Sequence, residues 1–215
     1  MKHWIFVVVL SAFAANSSAS SEPQNNCGSL GNAFGPFDYL DPNPLKTRLA
    51  AVEGAHFTRD VEFLIRGVTS TKPGHDLDYI LRAFPNHHRA LVSIGNYQLS
   101  TGRVPPDGAR YSAECYFERA MRFKPQDSSV RLIYGQYLVK KGDYKGAMQR
   151  YLEAYAMNPK SPETAYAIGL LYFKTEDYAK SLSYAKKAYG SGYPLPGLRK
   201  KLEAKGLWNQ DSKME

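Results

Sequence analysis

Four histidines beyond the first few residues, His56, His75, His87 and His88, lie among Asp76, Asp78, Arg82 and Arg89. Imidazole and carboxylate are ligand types for zinc, copper or nickel, which makes His75, Asp78, His87 and His88 the candidate metal ligands. Their spacing argues against a site. Neighbouring residues on a helix point about 100° apart, so His87 and His88 do not converge on one ion. Neither HExxH nor CxxC occurs. No metal and no cofactor is assigned; the competing reading is that Asp76 caps a helix and His88 packs against its neighbours. Arg82 and Arg89 are forked donors suited to carboxylates or phosphates. The run Pro85-Asn86-His87-His88-Arg89 is therefore either one wall of a binding site or a helix start capped by Asn86. A GxSxG elbow, a glycine-rich phosphate loop and a carboxylate pair with a reason to be catalytic are all missing, so the chain reads as non-enzymatic.

The other reactive groups are two cysteines, Cys27 and Cys115. Their chemistry depends on the compartment. Lys2 and His3 precede an apolar run from Trp4 to Leu10, and small residues follow through Ala19. That order is a signal peptide over residues 1–19, too short in its apolar part to span a bilayer. Export to the periplasm, or alternatively secretion, permits a Cys27–Cys115 disulfide; the alternative is two separate thiols. Nothing later reaches membrane-span length, so association with a membrane would go through a partner. Removing residues 1–19 takes Lys2 and no acid, which leaves 27 basic against 20 acidic residues and a charge of +7. The basic residues are scattered rather than clustered, so nucleic acid is not the expected partner.

The elements that must position these groups are helical. Residues 20–43 are rich in Ser, Asn, Gly and Pro and read as an irregular tail, in which Gly35-Pro36-Phe37-Asp38-Tyr39 carries aromatics able to pin it to helices. Residues 44–85 form a helical N-terminal cap. Its first helix opens at Asn43-Pro44, its second at Thr58, burying Val61, Leu64 and Ile65 and stopping by Gly67, and its third runs from Asp76 to Pro85. Asn86 caps the next helix. From there a 34-residue echo appears: Ala113, Phe117, Ala120 and Pro125 return as Ala147, Tyr151, Ala154 and Pro159, and Gly135, Tyr144 and Ala154 return as Gly169, Tyr178 and Ala188. The units are 86–125, 128–159 and 162–193, the first interrupted by an insertion at Gly102–Gly108. Residues 194–215 supply a last helix, Leu198 to Lys205, and a tail. Stacked units of this kind bury their apolar faces only against each other, and terminal helices must cover the ends. Glycines 135 and 169 are placed where the paired helices cross; Tyr151 is expected to fill space between hairpins.

Gly135, Asp143, Tyr144, Ala147, Tyr151, Ala154 and Pro159, with Gly169, Tyr172, Tyr178 and Ala188 after them, resemble the tetratricopeptide repeat family, and the signal peptide makes the chain similar to exported repeat proteins of bacterial envelopes. The resemblance covers residues 86–193. It implies an all-α, right-handed α-solenoid of about three helical hairpins between an N-terminal helical cap and a C-terminal capping helix. It also implies a scaffold or adaptor function, in which the first helix of each hairpin lines a groove for a protein or peptide. Carried over by register, that groove holds Arg89, Val92, Asn96 and Leu99, then Ser129, Leu132, Gln136, Val139 and Lys140, then Glu163, Tyr166, Leu170, Phe173 and Lys174. Arg89, Asn96, Gln136, Lys140, Tyr166, Phe173 and Lys174 are the expected contact residues. Tyr166, Leu170 and Phe173 have a second reading, as packing for the C-terminal helix. The alternative function is an accessory protein that binds a metal or small ligand through residues 75–89.

Overall fold

The structure is a computed structural model that describes residues 27–42 and 45–208. The expected leader, the start of the tail, Asn43 and Pro44, and residues 209–215 lie outside them. Among the described residues there are ten helices and no strand. The N-terminal cap holds α1 (Leu45–His56), α2 (Arg59–Glu62) and α3 (Gly74–Ala83). Three hairpins follow: α4 (His88–Thr101) with α5 (Ala113–Phe123), α6 (Ser128–Lys141) with α7 (Tyr144–Met157), and α8 (Pro162–Lys174) with α9 (Tyr178–Gly190). The chain then closes with α10 (Gly197–Ala204). None of these is long and apolar enough to cross a membrane. The fold is an all-α solenoid-like stack: each hairpin packs on the next, and α10 packs on α8 and α9.

Helix starts follow side chains that accept the first free amides. Ser112, Asp127, Asp143, Ser161 and Asp177 each accept from a backbone N–H two or three residues on. Two of these caps, Asp143 and Asp177, stand one repeat apart, as do Asp127 and Ser161. Between α6 and α7, Gly142 takes the left-handed backbone that a helix end favours (φ +90°). Its counterpart one period later is Glu176, which adopts the same region with a side chain (φ +64°).

The close crossing within a hairpin is visible at Gly135: a Cβ there would lie 2.4 Å from the Tyr151 ring of α7. Tyr151 thus sits over the glycine of its own hairpin, and it also lines the groove beside Leu171 of the next hairpin. Gly169 does the same work with different neighbours. Ser181 of α9 is buried and donates to the Gly169 carbonyl at 2.9 Å, and a Cβ on Gly169 would meet Leu198 of α10 at 2.7 Å. The main core runs without a break from Val52 in α1 to Leu171 in α8. Ala185, Leu198 and Leu202 form a second cluster that seats α10.

The N-terminal part departs from expectation in three places. The second helix is a single turn rather than a run to Gly67. Leu64 flips to φ +63°, and Phe63, Ile65 and Val68 are exposed; Ile65, expected inside, is 68% exposed. The cause is long-range: the buried carboxylate of Asp76 accepts from Val68 N (2.8 Å), Thr69 N (3.2 Å) and Thr69 Oγ1 (3.0 Å), and this draws the following loop back onto α3. Asp76 is therefore an internal acceptor, and α3 begins at Gly74, where a Cβ would lie only 1.9 Å from the Asp107 carbonyl of the insertion. The insertion is thus packed on the cap. Lastly, α4 is capped by His87, whose Nδ1 accepts from Ala90 N at 3.1 Å, while Asn86 turns inward. The Asn86 amide binds Asp38 and Asp127 and accepts from Tyr39 N, which ties the tail to the repeats.

The tail from Cys27 to Tyr39 is held at several points. Cys27 and Cys115 are joined, with their Cα atoms 5.1 Å apart. Buried Arg119 donates to the carbonyls of Cys27 and Ser29. Phe37 N donates to Ala83 O at 2.8 Å, and the Phe37 ring rests on Phe84. Tyr39 lies against both His87 and His88.

Candidate functional site

The first helices of hairpins two and three put their outward positions on one side. Leu132, Gln136 and Val139 recur at three- and four-residue steps on α6, as do Glu163, Tyr166, Leu170, Phe173 and Lys174 on α8. With α10 across from them they enclose an open groove of about 810 Å³. Its floor is apolar, with Tyr151 and Leu171 beneath, and a ligand of peptide size fits such a volume. The rim is basic. Lys174, Lys201 and Lys205 line it, and among the described residues none of them has a carboxylate within ion-pair distance. Each ammonium instead lies over a ring: Lys174 5.2 Å from the Tyr144 centroid, Lys201 5.7 Å from Phe173 and Lys205 5.5 Å from Tyr178. Such contacts contribute about 0.5–1 kcal/mol at exposed sites, so the charges are oriented without being neutralised. Glu163 and Glu176 are the acidic residues on the lining.

The groove brings together Gln136, Tyr166, Phe173 and Lys174 of the expected contact residues. Tyr166 also serves α10: its hydroxyl accepts from Leu198 N at 3.2 Å and its ring stacks on Tyr193 at 3.9 Å. Asn96 and Lys140 lie beside Gln136 in a shallow extension of the face, where Lys140 Nζ donates to Asn96 Oδ1 at 2.8 Å. Arg89 is a correction. Its guanidinium grips Glu62 with two donors, Nε at 2.7 Å, lies 3.6 Å from Glu53, and covers the Phe57 ring. The cap occupies that end of α4, so Arg89 is spent on holding the cap. Sequence reasoning missed Lys201 and Lys205. Their place on the rim depends on how α10 packs, through the buried Leu198 and Leu202, and the sequence alone carried no signal for that.

The histidines diverge as adjacent helical residues must. His88 Nε2 lies 2.8 Å from Asp127, while His87 Nε2 lies 2.9 Å from Glu53. His75 is exposed on α3 and Asp78 is buried among arginines. Among the described residues no three His, Cys, Asp or Glu side chains gather as a metal site would need.

His87 carries a pH dependence. Burial drives its pKa down from the usual value to about 4, against the upward pull of Glu53. A histidine depressed in the folded state adds stability above its unfolded pKa of about 6.5, and that stability is lost as pH falls through the folded pKa. Acidification from pH 6.5 to 4 is therefore expected to remove about 3 kcal/mol through this residue. Urea titrations of wild type and His87→Asn, which keeps a capping side chain, measure it. The variant should lose that much less across the window; equal pH dependence would show that His87 is not the group.

Residues 135–175 match the family model described as TPR repeat. No curated protein sequence matches the chain. Among solved structures, the crystal structure of MamA aligns with 76% of this chain and 85% of its own, at 18% identity and a TM-score of 0.46. The matched stretch runs from the close-crossing Gly135 through the whole of α7 and α8, the part that builds the groove floor. Residues 135–175 of this chain are thus tetratricopeptide repeat sequence.

Proposed function

We propose that this chain is an exported, non-enzymatic scaffold that holds a segment of a partner protein in the groove between α6, α8 and α10, and serves the assembly of an envelope complex in the periplasm. The observation that carries the reading is the groove itself: an apolar floor of peptide-binding size under three lysines that lack carboxylate partners. Repeat sequence of this kind builds binding surfaces by stacking, which agrees with a groove made by successive hairpins. The segment that suits it has apolar side chains and one or more carboxylates, since ammonium groups without carboxylate partners favour anions. Export is supported by the charged start and apolar run of residues 1–19 and by the Cys27–Cys115 bridge, which needs an oxidising compartment. The alternative of a metal accessory role through residues 75–89 loses two of its four ligands, because His87 and His88 are each committed to a different carboxylate.

A photo-reactive residue at Gln136, which is exposed on the groove, tests the reading. Crosslinking in envelope extract is expected to trap a partner from Gln136 and not from exposed Phe63 on the cap. Once the trapped segment is known, Lys174→Glu with Lys201→Glu should weaken its binding at least tenfold, about 1.4 kcal/mol. Adducts formed only at Phe63, or binding indifferent to charge reversal, would remove the groove from the account.

A further inference from the structure

A second cleft, of about 470 Å³, lies away from the groove, where the N-terminal cap meets the insertion between α4 and α5. Its walls come from three separate parts of the chain. His56 ends α1; His75, Tyr79 and Arg82 lie on α3; Arg110 lies between the insertion and α5. None of these belongs to the repeat pattern.

The polar groups of this cleft are unevenly satisfied. Asp78, the acid on its lining, is 5% exposed and already surrounded: it accepts from Tyr116 Oη (2.5 Å), Arg82 Nε (2.9 Å) and Arg110 N (3.3 Å), with Arg110 Nε at 3.4 Å. Its capacity for a further positive group is used up. Arg82 gives Nε to Asp78 and Nη1 to Asn32 Oδ1 (2.7 Å), which leaves Nη2 for a ligand. Arg110 is 63% exposed at the mouth, with a single ion-pair contact. Tyr79 Oη and the His75 ring have no hydrogen-bond partner among the described residues. His56 is held firmly: Nδ1 lies 3.0 Å from Asp76 Oδ1, and the ring stacks on Tyr79 at 4.0 Å. That leaves Nε2 unbonded. A carboxylate behind an imidazole fixes the orientation of the ring.

We propose that this cleft binds a small molecule bearing a phosphate or carboxylate group, with Arg110 and Arg82 as guanidinium donors to the oxyanion. Planar guanidinium groups present paired N–H donors that match such oxyanions, and a half-enclosed site strengthens them relative to water. The stacked His56–Tyr79 pair forms a flat wall against which the rest of the ligand would lie. The site is independent of the groove and stands or falls separately from it.

The test titrates the full chain with inorganic phosphate and, separately, with malonate, at matched ionic strength, following the histidine side-chain resonances. Saturable binding of at least one probe with Kd below about 1 mM is expected, with shifts at His56 and His75. The two probes separate the phosphate reading from the carboxylate one. Arg110→Gln, at an exposed position, should weaken binding at least tenfold. Lys201→Ala on the groove should leave it unchanged. Failure of both probes to saturate by about 10 mM overturns the proposal, as does Arg110→Gln binding like wild type, or loss of binding with Lys201→Ala.

Discussion

Replacing Cys27 and Cys115 by serine is expected to lower global stability by about 4–5 kcal/mol. The bridge joins residues 88 apart in sequence. In the chain-entropy treatment, closing a loop of that length costs the unfolded ensemble roughly this much freedom, and the folded state already holds the ends together. Single domains have only about 5–15 kcal/mol in all, so the loss would be a large part of the total. The native contacts explain why the folded state tolerates the crosslink. Arg119 donates to Cys27 and Ser29 carbonyls and Arg122 to the Gly28 carbonyl, so the tail is seated beside α5 by hydrogen bonds as well. Urea unfolding of the wild type with and without reductant, beside the double serine variant, measures the effect. Reduced wild type and the variant should coincide, both well below the oxidised protein. Equal midpoints for all three would mean that the crosslink restrains nothing.

Asp78→Leu is expected to cost about 3–5 kcal/mol, the range for removing one partner of a buried ion pair. Arg82, whose side chain is 16% exposed, would keep its charge and lose its counter-ion. The Tyr116 hydroxyl, almost wholly buried, would lose its acceptor. Burial and the Asp78 charge together raise the Tyr116 pKa, so that hydroxyl stays a donor at all relevant pH. The carboxylate thereby links α3, α5 and the insertion through one residue. The informative companion is Asp78→Leu with Arg82→Met. It removes both charges, and should recover part of the loss because no unpaired cation is left inside. A single variant as stable as wild type would show that the arginine finds water instead. By contrast, the exposed pair Lys180–Asp177 should change stability little when broken, since water and salt screen such surface pairs.

The parts of this protein that were legible in the sequence are those encoded by short spacings. The 34-residue period located α6 to α9 and the close crossing at Gly135, because each hairpin contacts chiefly its neighbours and the same local solution recurs; the resemblance to tetratricopeptide repeats implied the face that became the groove. The groove's near side was therefore visible in Gln136, Tyr166, Phe173 and Lys174, whereas its far rim, Lys201 and Lys205, required knowing where α10 lands.

The non-repeating half behaved differently. Arg89 had the right register for the groove, yet Glu62 and Glu53, 27 and more residues earlier, claim it. Asn86 had the right type for a helix cap, yet Asp38 and Asp127, 48 and 41 residues away, hold it, and His87 takes the cap. The segment after Glu62 had an apolar pattern for a helix, yet Asp76 ties its backbone into a loop. By itself, then, the sequence determined the all-α repeat stack, since helix periodicity and nearest-neighbour packing are local properties. Only the tertiary structure decided which polar side chains are spent on holding the cap and which stay free to meet a ligand, because a buried donor or acceptor must be satisfied by whatever the fold brings within reach.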